Sequence, residues 1–207
     1  MKRLLLGALI WLGAASAAFA QVNTVPQIGT ISAVLKYPTY SASSVGLVPA
    51  ASATDIWCIA ASSTRNISIK QIKVSGTAGT AITTPFLIYR RASLDTGGTA
   101  ATSLALPVAG KLFAGDSAAT ATLTAYTANP TIVDSSPVLL DVIQPTLAVT
   151  TTANAAMPPS SFGEAVAWFS HGLVLQKGTT QQVCLNLNGV SVSSGVLNIN
   201  AIWTEAP

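Results

Sequence analysis

Along this chain, outside its first fifty residues and the stretch 144–164, the apolar residues recur mostly at every second position, and Gly, Pro, Asn or Ser interrupts the pattern every ten residues or so. A period of two puts alternate side chains on opposite faces of an extended backbone, and the interruptions are the residues with which such a backbone turns. Little is left for helix, because most Ala-rich stretches are interleaved with Thr, Ser and Gly, which disfavour a helix interior. Strands are expected at 55–60, 65–75, 85–91, 121–128, 138–143, 165–169, 172–176, 181–188 and 196–204. Between Arg65 and Ser75 the alternation runs Ile67, Ile69 and then Ile72, Val74; its phase slips by one at Lys70-Gln71, which predicts a β-bulge. Near the end, Val183, Leu185 and Leu187 face one way and Cys184, Asn186 and Asn188 the other. Leu197, Ile199, Ala201 and Trp203 repeat the pattern against Asn198 and Asn200. The NGVSVSSG segment between these two runs predicts an antiparallel hairpin. About eight or nine short strands of this kind predict a single all-β domain, an antiparallel β-sandwich or jelly roll.

The first twenty residues, MKRLLLGALIWLGAASAAFA, break the pattern. A basic start, an apolar run from Leu4 to about Ala15 and the small residues Ala18-Phe19-Ala20 before Gln21 predict a cleaved secretory signal peptide. The apolar run is shorter than the roughly 20 residues that a membrane span requires. The organisation expected is therefore a signal peptide over 1–20, an extended N-terminal arm over 21–50 with Pro26, Pro38 and Pro49, and a β-sandwich domain over 51–207. Residues 144–164 are expected as a long loop, of the kind that carries interactions on a rigid sheet scaffold. The protein is expected to be exported, to periplasm or medium, without a stable membrane span after cleavage.

Half of the chain is hydrophobic and 8% is charged, enough apolar residues for a packed core and too few charges for a solvated disordered tail. The formal net charge is +3, but Lys2 and Arg3 belong to the leader, so no nucleic-acid-binding surface is expected. Cys58 and Cys184 form no metal-binding pattern with each other or with the one histidine. In an oxidising compartment a disulfide between them is one reading, and closing so long a loop contributes on the order of 4–5 kcal/mol. The other reading makes each a small apolar strand residue.

No recognisable catalytic constellation emerges, so neither catalytic residues nor a cofactor nor a metal is expected. His171 has no G-x-S-x-G elbow or other nucleophile motif to serve. Asp134 and Asp141 lack the spacing of a carboxylate pair built for glycoside hydrolysis and read as surface residues. Asp95-Thr96-Gly97-Gly98 and Gly115-Asp116 lack the alternating acids of a calcium loop and read as turns. Thr96-Gly97-Gly98-Thr99 has neither the lysine nor the helix of a phosphate cradle. Tyr89-Arg90-Arg91 offers guanidinium groups for a phosphate or carboxylate, though on a strand its arginines point to opposite faces. Asn66-Ile67-Ser68 matches a glycosylation sequon formally, in mid-strand and behind a bacterial-looking leader. Trp57, Trp168 and Trp203 sit among apolar strand residues and read as core, whereas two of them on one exposed face would make a carbohydrate platform.

The runs ATDIWCIAASSTRNISIKQIKVSGTAGTA, TAYTANPTI and TTQQVCLNLNGVSVSSGVLNINAIWTE, scattered over residues 53–205, resemble a largely uncharacterised group of small β-rich bacteriophage and prophage proteins that look like virion structural components. The resemblance implies a shell, decoration or fibre-type role with protein partners, through self-assembly or a particle lattice, and it transfers no catalytic residue. The leader departs from that pattern and favours a host-encoded or exported relative. Two expectations follow: a non-enzymatic structural protein that coats a virion or a cell surface, or a secreted binding module for a glycan or another surface ligand.

Overall fold

Alternation of period two becomes strand almost wherever it occurs. The computed structural model describes residues 37–80, 82–149, 165–192 and 194–207. The expected signal segment 1–20 and the first part of the expected arm lie outside the described residues. In chain order the strands are β1 (Thr39–Leu47), β2 (Asp55–Ala60), β3 (Asn66–Ala78), β4 (Ile82–Thr83), β5 (Phe86–Arg91), β6 (Thr99–Ala100), β7 (Val108–Lys111), β8 (Thr122–Ala128), β9 (Val138–Ile143), β10 (Thr146–Val149), β11 (Ala165–Leu175), β12 (Gln182–Asn186) and β13 (Val196–Ala206). One sheet runs β4-β10-β3-β13-β1-β7, with β11 also on β3; the other runs β6-β8-β2-β12-β5-β9. Pairing is antiparallel except between β10 and β3. The two sheets pack as a β-sandwich around one hydrophobic core.

The bulge expected at Lys70 shapes β3. Opposite it on β13, Ile202 pairs with Gln71 and Trp203 with Ile69, so Lys70 is the extra residue, and Ile67, Ile69, Ile72 and Val74 all reach the core. On the other side β11 answers that one residue with four, since Trp168 pairs with Gln71 and Leu173 with Ile69. The two strands expected at 165–169 and 172–176 are thus one irregular strand. Gly172 lies in that irregularity at a φ of +75°, and a Cβ there would stand 2.0 Å from Ser68 Oγ and 2.7 Å from Lys70 Nζ.

The expected hairpin between β12 and β13 is not formed. Both sides of β12 are already paired, to β2 and to β5, while β13 lies between β1 and β3 in the opposite sheet. The NGVSVSSG segment crosses between sheets, with Asn188 and Gly189 at positive φ and Val192 buried on the way. Part of the segment expected as an arm is also sheet. β1 inserts between β13 and β7, with Tyr40 stacked on Trp203 at 5.7 Å between ring centroids and Leu47 buried. The expected loop 144–164 begins with β10, and the remainder of it, from 150, lies outside the described residues.

A charge is buried in this sheet with its partners supplied. Glu205, fully inaccessible on β13, accepts hydrogen bonds from the backbone N–H groups of Thr120 at 2.9 Å and Ala121 at 3.0 Å. It accepts two more from the Thr120 hydroxyl at 2.7 Å and Trp203 Nε1 at 3.0 Å. The carboxylate thereby ties the 117–121 segment to the sandwich.

Candidate functional site

At the centre of the second sheet both faces are covered, and all six residues of β2 are buried. The cause is a register shift: Trp57 pairs with Leu185 and Asp55 with Asn186, leaving Ile56 as an extra residue. Trp57 and Ile59 point into the sandwich core, while the shift turns Asp55 outward, onto the same face as Cys58. That face also carries Cys184 and Gln182 from β12, Tyr89 and Arg91 from β5, and Tyr126 from β8. The chain that leaves β5 folds back over it and brings in Leu94 and Asp95.

Cys58 and Cys184 oppose each other directly across β2 and β12, with Cα atoms 4.1 Å apart, and their sulfurs are bonded. Beside them Arg91 donates two hydrogen bonds to Asp55, from Nε to Oδ2 at 2.5 Å and from Nη2 to Oδ1 at 2.7 Å. The guanidinium lies over the Tyr89 ring, 5.2 Å from its centroid. Asn186 Nδ2 donates to Asp55 Oδ1, and Asn186 Oδ1 accepts from the Asn188 N–H. Burial lowers the Arg91 pKa, but the hydrogen bond and charge of Asp55, joined by the charges of Asp95 and Asp134, outweigh it and raise the pKa.

Asp95 closes the cluster. Its side chain is fully inaccessible, 4.0 Å from Arg91 Nε and within reach of Asp55. Its pKa is pushed up to about 7, first by burial and then by the neighbouring Asp55, with Arg91 and the Gln182 amide pulling the other way. Asp95 and Asp55 therefore form an acid–carboxylate pair beside a single cation. Burial, followed by the two carboxyls, raises the Tyr126 pKa as well.

Leu94, Asp95, Thr122, Thr124, Tyr126 and Gln182 surround a pocket of about 150 Å³ above Cys58, Ala60 and Ala61. Asp95 Oδ1 and Gln182 Nε2 beside it are closed to solvent and make no close hydrogen bond, although the Gln182 amide stands near enough to Asp95 to lower its pKa. The ligand atoms of Asp55, Cys58, Asp95 and Cys184 converge within 4.8 Å, in the manner of a metal site. With the sulfurs bonded to each other and Arg91 on Asp55, the set offers a cation no thiolate.

A second feature lies at the free edge of the first sheet. Among the described residues β7 pairs only with β1. Val45, Leu104, Leu106 and Val108 line a groove of about 400 Å³ there, together with small residues such as Ser41, Ser43 and Gly110. Leu104 is 76% exposed and Val108 70%.

The remaining sequence candidates are scattered. Asp134 accepts from the N–H groups of Ala92 and Ser136, which lowers its pKa and makes it a turn residue. Asp141 accepts from the N–H of Val142, and Asp116 from that of Thr39. Gly97 and Gly98 adopt positive φ, as the turn reading requires, but Asp95 points inward rather than to solvent. Arg91 does take a carboxylate, an internal one. Asn66 begins β3, its amide donating to the Pro207 carbonyl and accepting from the Lys177 N–H. Trp57 and Trp203 are core as expected; Trp168 is 71% exposed, so it does not share the core reading. His171 lies in the irregular stretch of β11, with its side chain outside the described residues.

Sequence reasoning missed Asp55 and Asp95 as partners. One signal pointed to them: in a chain with so few charges, Asp55 and Arg91 each sit against an apolar strand, where a charge requires a counter-charge. No family model matches this chain, and no curated protein and no solved structure matches it.

Proposed function

We propose that this protein is a non-enzymatic structural protein that works by assembling with copies of itself into a coat, on a virion or a cell surface. One observation carries the reading: an edge strand, β7, that among the described residues pairs only with β1 and is flanked by an exposed apolar groove of Val45, Leu104, Leu106 and Val108. An unprotected edge offers unpaired backbone N–H and C=O groups to another strand, and adjacent apolar side chains add buried area when it pairs. A second copy of the same edge, running antiparallel, satisfies both. The scarcity of charge suits a closely packed interface that does not depend on electrostatic steering.

The test is light scattering and cross-linking of the disulfide-bonded protein over a range of concentrations, for wild type and for Leu104→Lys and Val108→Lys. Concentration-dependent association that the substitutions abolish, with stability unchanged, is the expected result; a wild type that stays monomeric throughout refutes the reading. Compartment is tested separately by mass spectrometry of cell fractions and purified particles, where an N-terminus at Gln21 marks export and Met1 in particles marks a virion component. The exported binding module is the second reading, favoured by the pocket beside Asp95 and Gln182.

A further inference from the structure

The edge of β7 and the chain on either side of it are complementary to a copy of themselves in one register. Leu112 N–H donates to the Thr39 carbonyl at 2.9 Å, and Gly110 and Val108 stand opposite Ser41 and Ser43. In an antiparallel ladder the N–H and C=O of one residue point the same way, and the direction alternates from residue to residue. Val108, Gly110 and Leu112 therefore turn theirs to β1. Ala109 and Lys111 turn both groups to the free side, and Pro107, which has no N–H, turns only its C=O. Leu106, Val108 and Leu112, at alternate positions, are exposed, and Gly110 leaves a gap between the last two.

Antiparallel pairing of two such edges can centre on Val108, Ala109 or Gly110. Centred on Val108, the Ala109 C=O faces a proline nitrogen, and further out Ala105 has already given its N–H to Thr102. Each buried C=O left without a donor costs on the order of 1–3 kcal/mol. Centred on Gly110, the two glycines face each other across a void, and the two copies of Lys111 stand roughly 7–8 Å apart, where like charges repel. Centred on Ala109, the N–H and C=O of Ala109 bond to the partner's Ala109 in both directions, and Lys111 N–H donates to the carbonyl of the partner's Pro107. Val108 enters the gap at the partner's Gly110, and Leu106 lies against the partner's Leu112. The lysines are then about 14 Å apart, outside the roughly 8 Å over which exposed charges act at physiological salt. The one group left over, the Lys111 C=O, belongs to an exposed residue and is open to water.

We propose that β7 pairs with β7 of a second copy about a two-fold axis at Ala109, with Val108 seated on the partner's Gly110. The proposal rests on the assembly reading and adds its register. An isologous contact closes at two copies, so this pair is a building block in which the first sheet runs on through β7 into that of the partner.

The experiment is cross-linking through single introduced cysteines in the full chain. The two native cysteines are bonded to each other, so the introduced thiol is the one that reacts. Val108→Cys and Gly110→Cys are oxidised with copper phenanthroline, each alone and then mixed in equal amounts, one of them ¹⁵N-labelled so that mass spectrometry separates the unlike dimer from the like ones. Gly110→Cys is accommodated, since a Cβ there meets only the Ser41 carbonyl oxygen, at 3.7 Å. In the proposed register the unlike pair has Cα atoms about 4.5 Å apart, within disulfide reach, whereas each like pair stands at roughly 7–8 Å, beyond it. The unlike dimer is therefore expected as the main product of the mixture, with little cross-linking of either variant alone. An excess of the Val108→Cys like dimer, or of the Gly110→Cys like dimer, overturns the register and leaves assembly standing. Association by light scattering with no cross-link in any sample overturns β7 as the contact, and a protein that stays monomeric throughout overturns the assembly reading as well.

Discussion

Replacing Asp95 with Asn isolates one titration in the interior of the second sheet. The folded chain holds the Asp95 proton up to about pH 7, whereas an exposed aspartate gives it up near 3.8. Because the folded pKa is raised, the contribution of Asp95 to stability is fully present below about pH 3.8, is lost as pH rises toward 7, and is level above that. One proton over this interval, at 1.36 kcal/mol per pH unit, sets an upper limit of about 4 kcal/mol, reduced to the extent that the 92–98 segment lifts and admits water. Asn keeps the size of the side chain and, like the protonated acid, presents a donor toward Asp55, but cannot titrate. Urea unfolding followed by tryptophan fluorescence from pH 4 to 8, with the disulfide intact, gives the difference between variant and wild type. Carboxyls away from the Asp55–Asp95 pair are common to both proteins and cancel, so the difference reads the pair. At pH 4 the two are expected to be equally stable, with Asp95→Asn ahead by as much as about 4 kcal/mol at pH 8. A difference that does not change with pH, or that favours wild type as pH rises, refutes the acid–carboxylate pairing.

Two further outcomes follow from the same structure. The Cys58–Cys184 bond closes a loop with a sequence separation of 126, so the double substitution to alanine is expected to lower unfolding stability by on the order of 4–5 kcal/mol, read from denaturant midpoints at constant slope. Glu205→Ala leaves the N–H groups of Thr120, Ala121 and Trp203 without their acceptor; a loss on the order of 3–5 kcal/mol is expected, with faster hydrogen exchange at residues 117–121.

Much of the sandwich was legible because burial on one face imposes a period of two, and the period survives even where the strand is irregular. At Lys70 the slipped phase of Ile67, Ile69, Ile72 and Val74 can be read directly as a bulge, since each isoleucine or valine must reach the core. β1 was not legible, for the opposite reason. Its sequence, TYSASSVGL, buries small residues between two partner strands, so only Tyr40 and Leu47 advertise the inward face, and the serines resemble a linker. The hairpin error has a similar origin: the turn-forming residues Asn188 and Gly189 mark a change of direction, but which sheet the chain enters next depends on whether β12 has a free side, and pairing across the sequence decides that.

The candidate site lies at the far end of this scale. Asp55, Gln182 and the neighbouring Arg91 and Asp95 come from three separated stretches of chain, and no spacing among them encodes a motif. What brings Asp55 to the outer face is the extra residue Ile56, and Asp95 reaches it from the chain that leaves β5. A charged residue on an apolar strand states that a partner exists without saying where. The fold supplies Arg91 and Asn186 to Asp55, and sets Arg91 and the Gln182 amide beside Asp95, where both pull down a pKa that burial raises.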